Sequence, residues 1–177
     1  PFDVAGQFTL QLDLAVDFEL QLESVQYRAC QIQGFQTHTT LENSQQVVDI
    51  CAFSNRIIDS GLLAAHFDLK QTPVFGIYTN MNDSSDFDYC IACLAKSGHT
   101  AHPEMVRHQI EDGLYAKFRL NRLDRIKEAW HYIYGRWFPA IEAFRRHGYD
   151  FETYHADHVA IYIPMTKMPR GTLNKSA

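Results

Sequence analysis

The stretch GYDFETYHADHVAIYIPM, residues 148–165, decides the fold class. DFETYHA (150–156) and HVAIYIPM (158–165) are rich in aromatic and β-branched residues, and a polar step joins them. They read as two neighbouring strands. Val159, Ile161 and Ile163 are uniformly apolar and suit a face covered by helices. Ala160 and Tyr162 then point the other way. Glu152 and Tyr154 share one face of their own strand, and the expectation is that they lie with Tyr162 on the open side of the sheet. A carboxylate enclosed among aromatic rings is costly unless a positive charge or hydrogen bonds satisfy it. A ligand cation meets that need by ion pairing with Glu152 and by contact with the rings.

Working outward, the same kinds of element recur. GLYAKFRL (113–120) reads as a strand. Leu123, Ile126, Ala129, Trp130, Ile133 and Tyr134 follow at helical steps, and Pro139 argues for a break near residue 138. In the first half, TPVFGIYTN (72–80) and DFDYCIACLA (86–95) read as strands joined by the turn NMNDSSD. Before them Val47, Val48, Cys51, Ile57 and Leu62 recur at helical spacing, with Thr39 or Thr40 as caps, Glu42 in the first turn and Gly61 at the end. SVQYRACQIQG reads as extended to Gly34. The expectation is an α+β fold of two tandem β-α-β-β units, occupying residues 21–167. Residues 1–20 are an N-terminal extension, and the alternating segment 8–22, with Phe8, Leu10, Leu12, Leu14 and Val16 and then Phe18, Leu20 and Leu22 in phase, is expected to supply an extra strand at an edge or a dimer contact. Residues 168–177 form a polar tail.

Composition narrows the function. The 177 residues are 46% hydrophobic and 21% charged, the profile of a soluble globular chain. A net charge of −5 disfavours a nucleic-acid module and tolerates a cationic ligand. No apolar run is long enough to span a bilayer, and PFDVAGQF shows no signal peptide. Cys30, Cys51, Cys90 and Cys93 lack framework spacing, which fits reduced thiols in a cytoplasmic protein.

YCIACLAKSGHTAH (89–102) carries the pattern C-x2-C-x5-H-x2-H, which invites a zinc reading. Strand parity opposes it: Cys90 and Cys93 are an odd number apart and face opposite ways. Tyr89, Ile91 and Cys93 share one face, and Cys90 and Ala92 the other. Parity leaves open whether Tyr89 or Cys90 looks toward a ligand. No metal and no cofactor are expected.

The motifs also occur in a known order. GLYAKFRLNRL (113–123), WFP (137–139), DFETY (150–154) and AIYIPM (160–165) resemble the signature of the GyrI-like small-molecule-binding domain, the effector-binding domain of AraC-type and MerR-type regulators. GIY (76–78) matches the corresponding place in the first half. The likeness covers about residues 20–165 in element order and 113–165 in motifs. Asn121 stands where the family usually has Gly, and the segment 138–150 is unusually apolar and basic.

The resemblance implies two β-α-β-β units about a pseudo-twofold axis with a groove between them. Glu152 would sit at the groove centre, with Trp137, Tyr78 and Tyr154 as walls. Tyr162 and Tyr89 join this set from the strand reading. The expected function is a stand-alone binding module, not an enzyme, for hydrophobic cationic molecules. No direct nucleic-acid binding and no membrane partner are expected; a homodimer or a separate regulatory protein is the expected company. Two alternatives stand beside it. One is a small hydrolase with Glu152 as general base, near His155 and His158. The other is a protein-inhibitory module using the acidic turn with Asp83, Asp86 and Asp88.

Overall fold

Eight strands and three α-helices carry the described residues, which are 20–81, 85–95, 102–140 and 144–167 of a computed structural model. The strands are Leu20–Tyr27 (β1), Cys30–Thr40 (β2), Val74–Thr79 (β3), Asp86–Leu94 (β4), Val106–Ile110 (β5), Gly113–Leu120 (β6), Asp150–Tyr154 (β7) and Val159–Pro164 (β8). The helices are Gln45–Asp59 (α1), Leu62–His66 (α2) and Ile126–Tyr132 (α3). The order β2-α1-β3-β4 and then β6-α3-β7-β8 contains the two expected β-α-β-β runs, and the class is α+β. The chain nonetheless divides differently. One unit is formed by residues 1–29, 111–148 and 154–177, and the other by 30–110 with 149–153. The strand β7 therefore joins the strands of the first run.

The first unit orders its strands β1-β6-β8, all antiparallel. Leu22 lies opposite Phe118, and Phe118 opposite Ile161. Residues paired directly across a ladder share a face. That face packs on Ala129, Ile133 and Trp137 of the helical segment, giving one apolar cluster with Leu20, Ala116, Val159 and Ile163. Each large side chain buried there contributes about 1.5–3 kcal/mol. Beyond α3 the helix widens into one π turn, Ile133–Trp137, and ends in the 3-10 turn Phe138–Ala140. Pro139 sits inside that last turn, so helical winding continues past the expected break at 138. On the other side of the unit, Lys117 reaches Glu23 across the ladder at 3.0 Å.

The second unit orders its strands β7-β3-β4-β2-β5. Phe87, Tyr89, Ile91 and Cys93 of β4 line up with Phe35 of β2 and pack under Phe53 and Ile57 of α1 and Leu63 of α2. Cys90 pairs with Gln36 and Ile77 in the two neighbouring ladders and is also fully buried. Burial pushes its thiol up to about 12, so it is an inert packing residue. The two cysteines point to opposite sides, as parity requires. His99 lies outside the described residues; His102 packs its ring near Phe35 and His66.

Four expectations are corrected. The chain breaks at Arg28 and Ala29, so the stretch read as continuous to Gly34 is two strands. Thr39 and Thr40 end β2 and do not cap α1; Ser44 stands at its N-terminus. The Thr39 hydroxyl instead donates to Asp49 at 2.7 Å, tying β2 to α1. On α1 the buried residues are Phe53 and Ile57, whereas Val47, Val48 and Cys51 face outward. Finally, VRHQI forms a strand, β5, that was not expected. Gly61 does end the α1 run. Of the alternating stretch 8–22, residues 8–19 lie outside the described residues, and Leu20–Leu22 begin β1. Among the described residues no helix is long and apolar enough to cross a membrane.

Candidate functional site

Glu152 is 1% exposed on β7. Tyr78 of β3 donates its hydroxyl to Oε1 at 2.8 Å, and Tyr89 of β4 donates to Oε2 at 3.4 Å. The pairing of β3 with β4 brings the two phenols together. Tyr78 and Tyr89 are direct cross-strand partners, so their rings share a side and meet edge to face at 5.2 Å. Phe87 adds a third ring, 5.8 Å from Tyr78.

Room for the carboxylate comes from Gly76. A Cβ at that position would stand 2.7 Å from Glu152 Oε2 and would press on the Tyr89 hydroxyl. A missing side chain thus lets the acid reach both phenols. Burial, and next the charge of Glu152, push the Tyr78 phenol well above the ordinary tyrosine value. Tyr78 is therefore a permanent donor at physiological pH. Asp150, two residues before Glu152, is 3% exposed, and burial pushes its carboxyl well above the usual carboxylate range.

The side of the sheet differs from expectation. Tyr78 and Tyr89 both pack with the cluster under α1 and α2, so Glu152 points to the helix-covered side of its unit and not to an open face. The hairpin that follows places Tyr154 within the other unit. The His155 N–H donates to the His158 carbonyl at 2.9 Å, which sets Tyr154 opposite Val159. Tyr154 accordingly packs against the Val159, Ile161 and Ile163 cluster. Tyr162 points the opposite way and meets Tyr27 at 5.5 Å and Tyr115 at 6.4 Å. It does not share the face of Tyr154.

Trp137 lies in the apolar cluster of the first unit, 5% exposed, with its ring edge to face on Phe118 at 4.8 Å. Its indole nitrogen is buried without a hydrogen-bond partner. Of the six residues singled out, Glu152, Tyr78 and Tyr89 are brought into hydrogen-bond contact. Of Tyr89 and Cys90, it is Tyr89 that donates to the acid. Sequence reasoning missed the role of Gly76 as a notch, and it missed Asp150. The signal for Asp150 was present: two acids at i and i+2 of one short strand fall on one side.

Comparison with curated protein sequences finds no match. Solved structures do match. The integron cassette protein VCH_CASS2 from the mobile metagenome of Vibrio cholerae is 22% identical, covers 85% of this chain and 99% of its own, and superposes with a TM-score of 0.69. SAV2435, in a structure bound to tetraphenylphosphonium, is 16% identical over 85% of this chain and 94% of its own, with a TM-score of 0.61. The EcmrR C-terminal domain is 13% identical over 86% of this chain and 100% of its own, at 0.51. At these identities the likeness is one of fold. The sequence profile of the Cass2 family, described as integron-associated effector binding protein, matches residues 25–165. That span takes in every strand from β2 to β8, with Glu152 and both of its tyrosine donors, and the chain is a GyrI-like domain belonging to the Cass2 family of effector-binding proteins.

Proposed function

We propose that the chain binds hydrophobic, cationic small molecules at Glu152. One observation carries the reading: a carboxylate 1% exposed accepts from two tyrosine hydroxyls beside aromatic rings. Two phenol donors hold the acid in place among the rings. A bulky organic cation pairs with a carboxylate, loses little hydration on burial, and gains about 0.5–2 kcal/mol from each ring it meets. Strongly hydrated inorganic cations lose more on entry. The effector-binding family supports a small-molecule role, and a fold neighbour bound to tetraphenylphosphonium supports a lipophilic cation as its chemistry.

The test is a thermal-unfolding screen with tetraphenylphosphonium and with uncharged aromatic analogues of similar size. Cations should raise the unfolding temperature, because a ligand selective for the folded state must. Glu152→Gln should abolish that rise while leaving the circular dichroism spectrum unchanged. Equal shifts from the uncharged analogues would overturn the role of the carboxylate.

A further inference from the structure

We infer that the Arg146 guanidinium of the first unit is an anion site that takes an aromatic carboxylate. It uses none of the residues around Glu152 and does not rest on that reading. The Arg146 backbone N–H donates to the Pro164 carbonyl at 3.0 Å, and Nη1 donates to the His147 carbonyl at 3.3 Å. The other edge of the group, Nε and Nη2, is buried and has no hydrogen-bond partner. Arg119, Arg122 and Arg125 each reach a carboxylate. Among the described residues Arg146 reaches none.

The group lies in a cradle. Its central carbon is 5.1 Å from the centre of the Tyr115 ring, and that ring is anchored by its hydroxyl, which donates to the Glu111 carbonyl at 3.0 Å. Gly113 supplies the room: a Cβ there would stand 3.2 Å from the central carbon and from Nη2, and 3.3 Å from Nε. An arginine cannot shed its proton inside a protein, so a fork without an acceptor stays charged and costly. Nε and Nη2 are a parallel pair of donors, the geometry that a carboxylate accepts bidentately. One fixed cation suits a planar monoanion, since Lys117 is already paired with Glu23. Tyr27 and Tyr162 meet Tyr115 edge to face at 5.6 and 6.4 Å, so the surroundings are rings and favour an aryl group on the anion. Arg146 as a whole is half-buried and His147 beside it is exposed, so the fork lies just beneath the surface and a rotamer change admits the ligand.

The experiment titrates benzoate, its uncharged isostere benzamide and inorganic phosphate into the full chain by calorimetry, and follows the arginine Nε–H signals by nuclear magnetic resonance. Benzoate should bind wild type at least about tenfold more tightly than it binds Arg146→Lys, which keeps the charge and loses the fork. One Nε–H signal, missing from that variant, should shift as benzoate is added and exchange more slowly with solvent. Glu152→Gln should leave the benzoate affinity within about twofold of wild type, which separates this site from the cation site. Should Arg146→Lys not fold, the wild-type comparison of benzoate with benzamide decides alone. Benzamide binding as tightly as benzoate, or benzoate moving no Nε–H signal, overturns the inference. Phosphate binding more tightly than benzoate overturns the carboxylate assignment.

Discussion

The two units solve the same packing problem with different chemistry. Each covers one side of an antiparallel sheet with helix. In the first unit that side is apolar apart from the indole nitrogen of Trp137, with Leu20, Leu22, Phe118, Ile161 and Trp137 in one cluster. In the second the helix-covered side includes Phe53, Ile57 and Ile91, but it also includes Tyr78 and Tyr89, whose hydroxyls converge on Glu152. An apolar cluster gives up nothing on burial, whereas a buried acid costs stability unless its hydrogen bonds are made. On the proposed function, the contrast puts stability chiefly in one region and recognition in the other.

Mutations sharpen this contrast in descending order of effect. Phe118→Ala should cost about 3–5 kcal/mol in urea unfolding, since it empties the middle of an apolar cluster. It should leave the ranking of cations unchanged; an altered ranking would break the division of labour. Glu152→Gln should do the reverse. At a cation concentration near 100 times Kd the wild type gains about 2.7 kcal/mol, and the variant should gain none of it. Tyr78→Phe should destabilise the ligand-free protein by about 1–3 kcal/mol, because it takes a donor from a buried carboxylate. A bound cation should recover part of that loss, so the shift with tetraphenylphosphonium should grow. An equal loss with and without ligand would count against Tyr78 acting through Glu152.

One histidine in each unit contributes stability that acid removes. Burial lowers the pKa of His108 in the second unit, and burial and then the charge of His158 lower that of His155 in the first. Each folded-state ring resists protonation, so the unfolded chain takes up protons first. This part of the stability is fully present above the ordinary histidine value of 6.5 and is lost as pH falls below it. Unfolding midpoints at pH 7 and pH 5 should therefore differ less in His155→Gln and in His108→Gln than in wild type. The smallest effect belongs to Val48→Ser. Val48 is 62% exposed on α1, and its loss should stay within about 0.5 kcal/mol.

Much of this was legible in the residues. GLYAKFRL is β6 to the residue, and FGIYT, DFDYCIACL, DFETY and VAIYIP lie in their strands as read. Strong period-two runs bounded by Gly, Pro or polar turns carry enough local information. What failed needed knowledge of partners. Every residue from Val159 to Pro164 is buried, so polarity could not say which face of β8 met helix and which met the tyrosines. The turn at His155–His158 fixed the phase, and its length was not apparent in advance. Val47 and Val48 look like core residues, but α1 turns Phe53 and Ile57 inward. The strand β5 pairs with β2 alone and has alternating exposure, so its sequence VRHQI carries little apolar signal. At the site, Glu152 and Tyr78 were both visible as candidates. Their hydrogen bond was not, because it joins residues 74 positions apart.

That separation has a consequence for how the protein is made. Residues 30–110 emerge from the ribosome in one run and hold most of the second unit, including both tyrosine donors. The segment 149–153, which completes that unit with its acid, arrives after residues 111–148 of the other unit have been synthesised. A nascent chain therefore displays Tyr78, Tyr89 and the notch at Gly76 well before Glu152 exists to fill it. The hydrogen bonds between Glu152 and the two phenols therefore form only after the intervening segment of the other unit has been made.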